Sequence, residues 1–235
     1  MSPSGDRMRL CLLPGLDGTG RLYGPLIEAL GRDATVEPWT YDSTRFEGYA
    51  ALADAWEPTI LRHDGVVLVA ESFAGPLAVM LAHRHPERVK ALVLAATFVH
   101  RPLPASGLCA HIVQRAPAIA PPLFVLERML AGQGLPPALR RELDAVLDAM
   151  PFEVLRRRAL AALRVDMRRE LAGLAMPVLY LQARHDRLIW PRAGREVQQL
   201  ARDARLETIA APHFLFQLAP VEAAAAIRRF IGTLS

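Results

Sequence analysis

Lysine occurs only once in this 235-residue chain, at Lys90, so its basic residues are almost all arginine. With the abundant alanine, that bias reads as a trait of composition rather than of function. Cysteine is nearly as scarce. Cys11 and Cys109 sit in apolar stretches without a C-x-x-C spacing, which leaves buried free thiols as the expectation. Aromatic residues make up only 6%, and charges of both signs are interspersed at a net +4. The missing basic, aromatic-laced stripe argues against a nucleic-acid partner. No long like-charge run is present, which sets disorder aside. No apolar run is long enough to cross a bilayer, and Met1 to Arg9 is polar, with no apolar stretch ahead of the first strand. Neither a membrane span nor a secretory leader is expected, and a cytoplasmic location follows.

What the chain does have is apolar mass. Hydrophobic residues reach 52% against 22% charged, which suits one well-buried domain, and the length is too short for two of ordinary size. Strands are expected at 8–13, 34–39, 65–70, 89–96, 177–182 and 206–210, the central ones largely apolar throughout. Helices are expected at 22–30, 49–61, 73–83, 193–200 and 221–231. That alternation predicts a parallel sheet covered on both faces. The rhythm breaks from about His100 to Ala175, a stretch rich in Pro, Ala, Leu and Arg with no strand-like run. Residues 1–99 and 176–235 therefore read as an α/β core, and 100–175 as a helical cap inserted into it.

Ala70-Glu71-Ser72-Phe73-Ala74 joins the clearest strand to a helix. A serine on such a sharp turn needs small residues two places before and after it, because bulky ones would collide. The hydroxyl then stands near a helix N-terminus, where N–H groups favour negative charge. Ser72 could instead only cap the helix.

A serine nucleophile needs a base, and the base needs an acid to orient it. Two later strands each run into a loop carrying one partner: Leu179 to Gln182 leads to Asp186, and Glu207 to Ala210 leads to His213. Ser72, Asp186 and His213 thus stand in the order this chemistry uses on alternating strands. Asp186 could be a plain turn residue, and His213 a helix cap. His185 is set aside because its neighbour is the better acid and the base should come last. His83 and His85 resemble a metal pair but lack a third ligand, so no metal and no cofactor is expected. Leu13 to Gly20 follows the first strand with neither a phosphate-binding lysine nor the dinucleotide glycine order. Its use is read as an oxyanion loop, in which Leu16 N–H and Phe73 N–H would hold a tetrahedral intermediate; a plain strand-to-helix turn is the alternative.

These features resemble the α/β-hydrolase superfamily across essentially the whole chain. Within it, the likeness is to small capped serine esterases that include the pimeloyl-carrier-protein methyl ester esterases. Pro14-Gly15-Leu16, the Ser72 elbow, His85-Pro86-Glu87-Arg88-Val89, Asp186 and His213 carry the likeness. Two departures are visible: Pro-Gly stands where many members have His-Gly, and alanines replace the elbow glycines. The resemblance implies an α/β-hydrolase fold with about six mostly parallel strands. It also implies hydrolysis of short to medium acyl esters through an acyl-enzyme, with a small-molecule ester or a carrier-linked methyl ester as substrate.

The cap would set substrate choice. Leu16, Phe73, Phe98, Leu123, Phe124, Met129, Trp190 and Phe214 are the candidates for an apolar acyl pocket. Arg140, Arg141, Arg156, Arg157, Arg158, Arg164, Arg168 and Arg169 crowd the cap and could dock an acidic carrier protein. Interleaved Glu142, Asp144, Asp148, Glu153, Asp166 and Glu170 equally suit a solvated helix face. Thioesterase, acyltransferase, lactonase, haloperoxidase or lyase chemistry would use the same machinery. A dehalogenase would carry aspartate at the elbow, and a non-catalytic receptor often loses a triad member.

Overall fold

The computed structural model describes residues 8–32, 34–102, 106–115 and 123–234; most of the polar N-terminal stretch lies outside them. Six parallel strands form one sheet in the order β2-β1-β3-β4-β5-β6: β1 (Arg9–Leu13), β2 (Thr35–Pro38), β3 (Val66–Glu71), β4 (Val89–Ala95), β5 (Val178–Ala183) and β6 (Ala204–Ile209). The chain winds outward from β1 in one direction and from β3 in the other. Between these two strands the connections leave on opposite sides, which opens a crevice at their C-terminal ends. Both the glycine-bearing loop after β1 and the serine turn after β3 lie there.

Side chains alternate across the sheet with period two. Cys11, Leu13, Leu68, Ala70, Leu92, Leu94 and Tyr180 face one buried layer, and Leu10, Leu12, Val67, Val69, Val93 and Leu181 face the other. The first layer is closed by α2 (Tyr49–Leu61), α3 (Gly75–Arg84) and α9 (Arg192–Leu200), and the second by α1 (Gly24–Leu30), α10 (Leu215–Leu218) and α11 (Pro220–Ile231). Burial on both sides is why the central strands read as unbroken apolar runs. Edge strand β6 is only partly buried. Its weak apolar signal explains why it starts two residues earlier than expected.

Between β4 and β5 the chain runs through α4 (Ser106–Arg115), α5 (Leu123–Leu130), α6 (Pro137–Asp148), α7 (Phe152–Arg164) and α8 (Arg168–Gly173). Helix α8 packs on α3 and buries Leu171 with Leu77 and Leu81. The others lie over the crevice. Cys11 is buried as expected, but Cys109 is only half-buried, because α4 is covered on one face alone. Among the described residues no helix is long and apolar enough to cross a membrane.

Candidate active site

Ser72 has φ of 53°, a left-handed conformation that a residue with a Cβ holds only under constraint. The turn Ser72–Ala74 is a single 3-10 turn leading into α3, not the start of an α-helix at Phe73. Ala70 and Ala74 are completely buried, and their methyl groups are accommodated. Gly75 is the position that tolerates no side chain, since a Cβ there would overlap the Thr97 hydroxyl. That hydroxyl donates to the carbonyl of Ser72 and holds the turn.

Ser72 Oγ lies 2.8 Å from Nε2 of His213, and His213 Nδ1 lies 2.8 Å from Oδ2 of Asp186. Both partner side chains are enclosed, at 3% and 1% exposure. The other Asp186 oxygen accepts the N–H groups of Leu188 (2.8 Å) and Ile189 (2.9 Å), so the carboxylate cannot swing away. A carboxylate can only accept, so Nδ1 carries its proton toward Asp186 and Nε2 is free to accept from the serine. His185 is exposed and takes no part.

The loop after β1 lies over this serine. Gly15 presents an edge on which a Cβ would sit 3.9 Å from Ser72 Cβ. Phe73 opens its turn, where helical geometry supplies its N–H with no acceptor. The N–H of Leu16 makes no hydrogen bond to a described residue. All four tyrosines of the chain are buried, and each donates to a carbonyl near the site: Tyr23 to Leu13, Tyr41 to Pro14, Tyr49 to Phe73 and Tyr180 to Thr97. They fix the backbone at the C-terminal ends of β1, β3 and β4, but not the loops carrying Asp186 and His213. The His213 loop is tied by Phe214 N–H to the carbonyl of Leu130.

A cavity of about 640 Å³ opens above Ser72 and His213, with a predominantly apolar wall. Its floor includes Pro14, Gly15 and Leu16, and its roof comes from α4 to α7. That size suits a small-molecule or acyl-chain site.

The model for the α/β hydrolase fold matches residues 10–113. A pimeloyl-[acyl-carrier protein] methyl ester esterase from Aromatoleum aromaticum is 31% identical over 221 residues, covering 87% of this chain and 78% of that protein. The chain belongs to the α/β-hydrolase family. A biotin biosynthesis bifunctional protein from Teredinibacter turnerae is 30% identical over 185 residues, 70% of this chain; the match spans only 32% of that longer protein. Among solved structures, a hydrolase from Oleispira antarctica superposes with a TM-score of 0.81 at 17% identity, over 97% of this chain and 92% of that one.

In this α/β hydrolase the sequence-expected pocket is only partly assembled. Leu16, Leu123, Met129 and Phe214 line the cavity. Phe73 does not: its ring stacks on Tyr49 at 4.8 Å and fills the core beneath the loop. Phe98 is likewise in the core. Phe124 is 68% exposed, because on α5 the inward positions are Leu123, Leu126 and Leu130. Trp190 is 48% exposed, with the Arg192 guanidinium over its ring. Of the cap arginines, Arg158 is fully buried and cannot belong to a docking face, and Arg156 lines the cavity while bonded to Glu153. Arg140, Arg157 and Arg168 pair with Glu127, Glu153 and Asp166. His85 bonds to Glu57, and among the described residues no group of three potential ligands could hold a metal.

Glu71, immediately before the serine, was not singled out by sequence. It is buried, lines the cavity and accepts from Gln217 Nε2 (2.9 Å) and Phe216 N–H (3.3 Å). Burial pushes its carboxyl up to about 7, against the pull of the Gln217 amide and His213 and with some help from Asp17. The folded chain then keeps a proton that the unfolded chain has lost, which favours folding at low pH and ceases to do so as pH rises through about 7. Relative to Glu71→Gln, the wild type is expected to lose up to about 3 kcal/mol between pH 4.5 and pH 8. Denaturant unfolding of both proteins across that range checks it. Parallel stability curves would mean that the carboxyl titrates as if in water.

Proposed function

We propose that the protein is a serine carboxylic ester hydrolase working through an acyl-enzyme. The observation that carries this reading is the unbroken hydroxyl–imidazole–carboxylate relay, built on a serine held in a strained turn. Ser72 Oγ attacks the ester carbonyl carbon as its proton passes to His213 Nε2. Asp186 keeps the imidazole in the tautomer that can accept and stabilises the imidazolium. The N–H groups of Leu16 and Phe73 receive the oxyanion. Collapse of the tetrahedral intermediate breaks the carbon–oxygen bond to the alcohol, which leaves with the proton from Nε2. Water then attacks the acyl carbon, giving its proton to Nε2, and the second collapse frees the acid and returns a proton to Ser72 Oγ.

Residues 100–175 are read as the cap that selects the acyl group, and short to medium acyl chains suit the apolar cavity. A series of p-nitrophenyl esters from acetate to decanoate tests both points. A burst of p-nitrophenol matching the enzyme concentration is expected, with the highest kcat/KM for chains that fill the cavity. No turnover above buffer for any ester would defeat the reading.

The pimeloyl-carrier-protein esterase relative supports a carrier-linked methyl ester as substrate. Exposed Arg141 and Arg169 on the cap supply charge for an acidic carrier. With such a substrate kcat/KM should fall as salt rises from 20 to 500 mM, on the order of tenfold if exposed charges steer docking. Equal rates at both concentrations would remove the carrier from this proposal.

A further inference from the structure

Arg158 is completely buried, yet among the described residues its guanidinium forms no ion pair with a carboxylate. Its guanidinium is spent on backbone instead. Nη1 donates to the carbonyls of Leu16 and Asp17, each at 2.9 Å, and Nη2 donates to the carbonyl of Asp42 at 2.8 Å. The Tyr41 ring lies 5.5 Å from the guanidinium carbon. Burying a cation costs several kcal/mol unless its hydrogens are satisfied. Here the two Nη atoms of the planar fork span from the Leu16 and Asp17 carbonyls to the Asp42 carbonyl, a reach that the single nitrogen of a lysine ammonium does not reproduce, while Nε is left buried without a partner. The loop is shaped to the side chain: Gly18 has φ of 71°, and a Cβ on it would collide with the guanidinium.

The two ends of this contact are 142 residues apart in sequence. One is α7, in the helical insertion; the other is the loop that lies over Ser72. We infer that Arg158 is a positioning residue for the ester hydrolysis proposed above, clamping the Leu16 and Asp17 carbonyls so that the Leu16 N–H stays aimed at the tetrahedral intermediate. The insertion thereby governs the rate of the chemical step as well as the choice of substrate. The inference rests on the esterase reading, because the clamp has a catalytic meaning only if that N–H receives an oxyanion.

The test compares wild type, R158M and R158K on p-nitrophenyl butyrate, with kcat, KM, thermal midpoint and the affinity for an alkylboronic acid recorded for each. The boronic acid forms a tetrahedral adduct on the serine and so reports the oxyanion site. R158M is expected to lose about 10²-fold in kcat at nearly unchanged KM, with boronate affinity falling in parallel. R158K should be intermediate. An arginine that only stabilises the fold would lower the thermal midpoint while leaving kcat and boronate affinity per folded molecule at wild-type values, and that result overturns the inference. If R158M does not fold, R158K decides: wild-type kcat and boronate affinity overturn it, and a joint loss supports it. A wild type without ester turnover takes the inference down together with the esterase reading; an active wild type matched by R158M removes the inference alone.

Discussion

Replacing Ser72 with alanine is expected to reduce kcat on p-nitrophenyl esters by at least about 10⁴-fold while the protein stays folded. The alanine retains the Cβ that already occupies the turn, so the backbone constraint at φ of 53° is unchanged. What disappears is the oxygen 2.8 Å from His213. The imidazole then has nothing to deprotonate except water, and only the oxyanion donors and substrate binding remain. Because the relay acts as a unit, adding His213→Ala to Ser72→Ala should cost little more. Circular dichroism and thermal unfolding should match wild type within a few degrees. Turnover in the alanine variant within tenfold of wild type would exclude Ser72 as nucleophile.

Asp186→Asn should cost nearly as much, about 10⁴-fold in kcat, for a different reason. The substituted amide can still accept the N–H groups of Leu188 and Ile189 through its oxygen, so the loop keeps its shape. Its NH2 group then faces His213 Nδ1, which must accept rather than donate. The imidazole proton moves to Nε2, and the nitrogen that faces Ser72 can no longer take a proton. KM should stay close to wild type, because the cavity is untouched. A kcat within tenfold of wild type would mean that the carboxylate does not set the tautomer.

The layered fold was legible because it depends on coarse patterning. Strands β1, β3, β4 and β5 are covered on both faces, and only continuous apolar runs satisfy that. The convergence of Ser72, Asp186 and His213 could be anticipated because parallel strands place their following loops at one end of the sheet, so position in the strand order carries spatial meaning. The cavity wall could not be read in the same way. Phe124 and Leu123 are neighbours in sequence, and the register of α5 alone sends one outward and the other in. Phe73 sits beside the nucleophile, but its ring follows the turn into the core.

The arginine cluster shows the same limit. Arg156, Arg157 and Arg158 are consecutive, and α7 turns them to the cavity, to solvent and to the buried loop respectively. The four tyrosines bind carbonyls, which carry no sequence identity, so their partners emerge only from the folded backbone. Gly75 explains how the turn does without glycines at 70 and 74. The close approach of Thr97 falls one residue beyond the usual pattern.

The most direct measurement is to label the protein with a fluorophosphonate and map the modified residue by peptide mass spectrometry. One adduct per chain is required, on Ser72, with labelling abolished in the His213→Ala variant and esterase activity lost in step with the modification. An adduct on another residue, or an ester-hydrolysing protein left unlabelled at Ser72, would contradict the claim that this hydroxyl is activated by its neighbouring imidazole.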